Sequence, residues 1–250
     1  MSSLGIFGVT GLPEITAGMD LAEMIHASAA EQGDPLADGD IVIVTSKIVS
    51  KAEGCTVELA DITPSEFAER WSAKWEKDPR VTEVVLRESK RVIRQIGPVL
   101  ITETHHGFCC ANSGVDQSSS GAAGRILTLP VDPDATCRAH RARFAELGVD
   151  VAVIMSDTFG RPWREGQTDI AIGIAGMNPL FSYIGQTDPH GHEFHVQEIC
   201  TADELAAAGE LVKGNTSRVP VAVIRGFDWE RDDTASMAPV LRDSERDLFR

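Results

Sequence analysis

VAVIM at Val151–Met155, running directly into SDTFGRPWREGQTD at Ser156–Asp169, is the stretch on which the fold of this chain turns. The first five residues are apolar and rich in β-branched side chains, the pattern of a buried strand. The polar cluster that follows therefore sits where a strand ends, a common place for chemistry in α/β-type proteins. Gly160 and Pro162 are expected to stop regular structure, so that Asp157, Thr158, Arg161 and Arg164 are presented from a loop. A carboxylate, a hydroxyl and two guanidinium groups in one turn-rich segment point to a site for metal and phosphate.

Outward from this segment, Leu4 to Val9 reads as a strand entering a Gly11–Ile15 loop, and Asp20 reads as the N-cap of a helix reaching about Ala30. Ile41 to Val44 is a second buried strand. After it, Lys47 and Lys51 lie four residues apart, on one face whether the segment is helical or extended. Ser65 to about Asp78 is amphipathic and helical, and Val81 to Ile96 reads as a second, charged helix. Val99 to Thr104 is a strand, Asp132-Pro133-Asp134 starts a helix over Cys137 to Leu147, and Ile170 to Ala175 is small and apolar, suited to close packing behind the site. Tyr183 to His195 reads as a hairpin around Asp188-Pro189-His190-Gly191. A helix, Ala202 to Leu211, and a strand, Val219 to Ile224, precede a charged tail from Asp228, expected on the surface or against a partner.

At 250 residues and 42% hydrophobic, the chain can bury a core for one large domain or two interlocked subdomains. A formal charge of −15 disfavours nucleic acid and anionic membrane as partners, although a local cation cluster can still hold a nucleotide. Five cysteines without a CxxC pair fit a reduced, cytoplasmic setting, with Cys109 and Cys110 expected as ordinary buried thiols. No signal-like N-terminus and no apolar run near about 18 residues is present, so a soluble protein is expected.

Magnesium and manganese take hard oxygen ligands and usually meet a nucleotide through one or two carboxylates and its phosphates. Asp116 and Asp157, with the Thr158 hydroxyl, supply that chemistry if their loops converge; each aspartate would equally serve as a turn or helix cap. Lys47, Lys51, Arg161 and Arg164 are the candidates for catalytic contacts to phosphate or carboxylate, against the plainer reading of solvated charges. Gly209 to Thr216 has the glycine spacing of a Walker A loop, but Asn215 stands where its lysine belongs and the segment follows a helix, so it is no P-loop. His190, His192 and His195 read as solvent-facing side chains of an exposed turn rather than a zinc site.

Six blocks, in order, resemble the coenzyme F420-0:gamma-glutamyl ligase family: GLPEI at Gly11–Ile15, TSKIVSKAEG at Thr45–Gly54, HG followed by ANSGVD ending at Asp116, LPVDPD ending at Asp134, SDTFGRPWREGQTDIAIGIAG at Ser156–Gly176, and ADELAAAGELVKG before VPVAVIRG. The resemblance covers nearly the whole chain. It implies an unusual α+β fold of two interlocked subdomains in an intertwined homodimer. It also implies a GTP-dependent ligase that adds L-glutamate, γ-linked, to the lactyl-phosphate tail of the deazaflavin precursor, with magnesium or manganese and, as a further candidate, potassium. By the same resemblance Leu12, Pro13, Glu14, Ile15, Ser46, Lys47 and Lys51 contact GTP, as do Ser119 and the late loop containing Lys213, Gly214, Asn215 and Thr216. The resemblance likewise implies that Asp116, Asp157 and Thr158 bind metal. Ser119 and Asn215 replace longer polar residues usual in the family. Some relatives append a nitroreductase-like domain, and this chain is expected to be the ligase domain alone, residues 1–250. A ligase for another phosphorylated acid, and a nucleotide- or deazaflavin-binding paralogue without turnover, are the alternative readings.

Overall fold

The computed structural model describes residues 3–117 and 123–247. The order of elements is β1 (Gly5–Val9), α1 (Leu21–Glu31), β2 (Ile41–Thr45), α2 (Ser46–Glu53), β3 (Thr56–Glu58), α3 (Glu66–Lys74), α4 (Pro79–Arg87), β4 (Ser89–Ile96), β5 (Val99–Thr104), β6 (Cys109–Ala111) and β7 (Arg125–Leu127). It continues with α5 (Pro133–Glu146), β8 (Ala152–Arg161), β9 (Arg164–Met177), β10 (Leu180–Ser182), β11 (Glu198–Cys200), α6 (Thr201–Lys213), β12 (Val221–Arg225) and β13 (Arg231–Asp232). One mixed sheet with helices on its faces and smaller antiparallel sheets make this an α+β protein.

The principal sheet has six strands in the order β1-β12-β2-β8-β9-β13. Only β2 and β8 pair in parallel, Ile41 opposite Ala152 through Thr45 opposite Ser156. Because side chains alternate across a strand, Val42, Val44, Val153 and Met155 enter one core with Leu21 and Ile25 of α1 and Phe144 of α5. Ile41, Ile43 and Ile154 enter the other, with Ala202, Leu205 and Ala206 of α6. Covering both faces explains why β2, β8 and β12 read as continuous apolar runs.

Residues between α2 and α5 build two smaller sheets, β4-β5-β6 and β3-β7, over separate cores around Trp71 and Leu59. Val81 to Ile96 is not one helix. Asp78 caps α4, Pro79 occupies its first turn, and the chain turns at Glu88 into β4, which pairs antiparallel with β5. Gly97, at φ +54°, closes that hairpin. The charges on β4 lie on an exposed strand, and pairing with β5 outweighs a helical preference too weak to hold alone.

The central segment also departs from expectation. Asp157, Thr158 and Arg161 are not on a loop, because β8 continues to Arg161 and pairs with β9 around a two-residue Pro162–Trp163 turn. Trp163 takes φ +56° there. Pro162 thus ends the strand only at the hairpin tip, where its missing N–H costs no ladder bond. Close packing behind the site is as expected: a Cβ on Gly173 would lie 2.6 Å from the carbonyl oxygen of Pro133 at the start of α5. Gly173→Ala should destabilise the fold by about 1–3 kcal/mol, read by urea unfolding, because both contacting elements are backbone.

The Tyr183–His195 hairpin forms, and His190, His192 and His195 are exposed. Cys110 is buried but Cys109 is exposed, correcting the expectation for one of the two thiols; the described cysteines form no disulfide. The tail is less superficial than its charge suggests, since β13 extends the principal sheet and Ala235 and Met237 are buried. Among the described residues, no helix is long and apolar enough to cross a membrane.

Candidate active site

Strands β1 and β2 end at the same edge of the principal sheet, β12 begins there, and β8 passes through it. The Gly11–Ile15 loop after β1, the start of α2, and the loop between α6 and β12 therefore converge on a cleft of about 300 Å³. Thr45 locks two of these walls together, its amide and hydroxyl both donating to the carbonyl of Pro220 at 3.0 and 2.8 Å.

Leu12, Pro13, Glu14, Ile15, Lys47, Lys51, Thr158, Lys213, Gly214 and Asn215 all line this cleft, with Arg218 and Glu210 beside them. The helical alternative for Thr45–Gly54 is the one realised, so Lys47 and Lys51 project from one face of α2. Lys51 pairs with Glu14 at 2.5 Å, and its hydrogen bond holds that carboxyl below its usual range. Lys47 lies 3.2 Å from Asp116, which brings the turn that follows β6 to the cleft. Thr216 is exposed on the same loop, and Ser119 lies outside the described residues. Arg161 and Arg164 do not line the cleft: they face each other across the hairpin tip and are exposed.

Beneath the cleft floor is a buried polar network. Asp169 of β9 accepts from Thr158 Oγ1 at 2.6 Å, from Ser156 Oγ at 2.9 Å and from Lys213 Nζ at 2.7 Å. Lys213 also donates to Ser156 Oγ at 2.7 Å. Lys213 and Asp169 are each only 2% exposed, so neither charge can exist without the other. Because Thr158 spends its proton on Asp169, its oxygen lone pairs remain for a cation or a donor in the cleft. Asp157, on the opposite side of β8, accepts from the Thr158 amide at 2.8 Å. Burial pushes its carboxyl up to about 6; the Thr158 amide, Lys47 and a hydrogen bond from Ser46 counter this, while the Asp169 charge adds to it. Glu210 is also raised, by burial and then by Asp169.

A buried carboxylate short of positive charge, an acid already facing an ammonium group and a hydroxyl with lone pairs to offer fit a divalent cation. Asp116, Asp157 and Thr158 would hold it. Among the described residues no group of three or more His, Cys, Asp or Glu side chains is placed to hold a metal ion by itself.

Reasoning from sequence singled out neither Ser156, Asp169 nor Glu210. Glu210 and Lys213 stand one turn apart at the end of α6, a spacing that could have linked them. Asp169 joins Lys213 only through strand pairing and helix packing, for which spacing carries no signal.

Cations gathered around buried acids at the edge of a doubly covered sheet define the class, an α+β protein with a polar, cation-lined cleft. Residues 10–226 match the F420-0:Gamma-glutamyl ligase family, and the chain belongs to it. It is 40% identical over 251 residues to the coenzyme F420:L-glutamate ligase of Methanothermobacter thermautotrophicus, covering 99% of both chains. It is 41% identical to the enzyme of that name from Methanopyrus kandleri, over 95% of this chain and 94% of the relative. Against the Halobacterium salinarum protein the identity is 42%, over 91% and 88%.

Proposed function

We propose that this protein forms the amide bond between L-glutamate and the coenzyme F420 precursor, in a GTP-dependent reaction at the cleft beside α2. The observation that carries this reading is the convergence of Lys47, Lys51, Lys213 and Arg218 in one cleft with Thr158 and the acids behind it, in a chain whose near-full-length relatives bear the ligase name.

An amide does not form from a carboxylate and an ammonium group in water without activation. In the proposed sequence a carboxylate oxygen of the acceptor attacks the γ-phosphorus of GTP, the bond to the β–γ bridging oxygen breaks, and GDP leaves. The glutamate nitrogen, as the free amine, then attacks the carbonyl carbon of the acyl phosphate; inorganic phosphate departs and the nitrogen loses a proton. Charge on the transferring phosphoryl group is met by Lys47 and Lys51, which the helix holds at one wall. Asp157, Asp116 and Thr158 would hold magnesium or manganese, which supplies Lewis acidity toward the phosphate oxygens. Asp169 keeps the Thr158 hydroxyl turned as an acceptor. Arg161 and Arg164, exposed at the hairpin tip, would meet an acidic substrate only at the mouth of an assembled site.

Mass spectrometry of a reaction containing the protein, the glutamate-free precursor, L-glutamate, GTP and magnesium or manganese tests this directly. A mass gain of glutamate residues that requires both GTP and metal supports the reading. No product from folded protein, beside a working control ligase, overturns it.

The same reading takes the enzyme as a homodimer. Trp163 is 80% exposed at the tip of the β8–β9 arm, and Val92 and Ile96 are exposed on the edge strand β4. Equilibrium sedimentation should give twice the chain mass at micromolar concentration; a single monomeric species would sink this part of the proposal.

A further inference from the structure

A second cavity, of about 510 Å³, opens between the end of α3, the face of α4 and the turn that follows β6. It adjoins the cleft at an ion pair. Asp116 lines this cavity, and its ion-pair partner Lys47 lines the cleft.

The walls combine donors and acceptors in an uncommon way. Trp71 is 6% exposed, and its indole N–H is buried without a hydrogen-bond partner among the described residues. A buried donor left unpaired costs about 1–3 kcal/mol, so a ligand acceptor that reached it would be favoured by a comparable amount. The Lys77 ammonium stands 5.5 Å from the centre of the Trp71 ring. Asn112 uses its Oδ1 to accept from the Leu100 amide at 3.4 Å, which leaves its NH₂ group to donate. Glu76 and Asp116 are acids of the same wall.

The backbone of this wall is held in costly conformations. Asn112 and Ser113 sit at φ +52° and +53°, and Glu76 at +53°, all in the left-handed region that side chains rarely adopt. Ser113 is kept there by its amide, which donates to Thr102 Oγ1 at 3.0 Å, and by hydroxyl contacts of 2.8 Å to Thr102 and 2.7 Å to Ser89. These bonds fix the turn that delivers both Asn112 and Asp116. Such strain is concentrated where geometry serves a ligand.

We propose that this cavity binds the incoming amino-acid substrate, L-glutamate, an inference that rests on the ligase reading above. Its donors, the Trp71 indole, the Lys77 ammonium and the Asn112 amide, answer the two carboxylates of glutamate. Its acid Glu76 answers the ammonium group. A phosphate-bearing ligand is drawn instead to the neighbouring cleft, where Lys47, Lys51, Lys213 and Arg218 gather. The placement also suits the chemistry, because the amine enters beside Asp116, at the boundary with the phosphoryl site.

Trp71→Phe removes the indole N–H while keeping an aromatic ring, and Lys77→Met removes the charge while keeping the chain length. Steady-state kinetics should show the KM for glutamate rising about ten- to a hundredfold in each, with the KM for GTP moving less than about twofold. Wild-type product with an unchanged glutamate KM in both folded variants, or a rise in the GTP KM instead, overturns the site and leaves the ligase reading standing. If the wild type makes no product, the ligase reading fails, and a tryptophan fluorescence titration with L-glutamate decides the cavity. A saturable change that disappears in Trp71→Phe supports the site, and no change in the wild type overturns it.

Discussion

Asp157→Asn is expected to lower ligation at least about a hundredfold, since it removes an anionic ligand from the proposed cation site while Oδ1 still accepts from the Thr158 amide. The same substitution should not weaken the metal-free fold. Burial raises the Asp157 carboxyl to about 6, so the native protein holds this proton over a range in which the unfolded chain has released it. Native protein then binds more protons than unfolded protein, and the group's contribution to stability falls as pH rises from about 4 to about 6. Above about pH 6 the penalty is complete, on the order of 3 kcal/mol for a carboxyl that releases its proton about two pH units later in the native than in the unfolded chain. The Asn variant, uncharged throughout, should therefore be more stable than the wild type in urea at pH 8 without metal, and lose that advantage near pH 4. Near-normal turnover removes the metal role; a variant less stable at pH 8 removes the electrostatic account. Function retained at a cost in stability is the expected signature of a site poised to receive a cation.

Lys213→Met carries the largest expected loss of stability. It strips the partner from a fully buried Asp169, and breaking such a pair costs about 3–5 kcal/mol. The Lys213→Met, Asp169→Asn double variant should recover most of this loss, because the introduced asparagine carries no orphaned charge, its Oδ1 still accepts from Thr158 and its amide can donate to Ser156. Urea midpoints of the two single variants and the double variant form a cycle; additive losses would show that the two side chains do not act as a pair. Ligation should remain impaired in the stable double variant, since Lys213 no longer lends its charge to the cleft wall.

Much of this protein follows from local patterns. The apolar runs of Ile41 to Val44 and of Val151 to Met155 mark strands covered on both faces, and Asp20 and Asp132 mark helix starts that the structure caps through their side chains. Motif order alone marked the loops that line the cleft. The hairpin that carries Asp157 and Thr158 was not legible, because Gly160 and Pro162 signal a break and only strand pairing decides how far β8 continues past it. The same holds for β4, whose charged sequence suits an exposed helix until β5 offers it a partner. Arg161 and Arg164 have the right charge for a clamp, yet an antiparallel turn carries them away from the cleft.

Sequence by itself determined which residues could do chemistry, since charge, hydroxyl content and motif order belong to the chain. Tertiary structure alone decided which of them meet. Lys213 reaches Asp169 across 44 positions, and Lys47 at the start of α2 reaches Asp116 in the turn beyond β6. The energetics of those pairs depend on burial, and burial is a property of the packed sheet and helices rather than of any local segment.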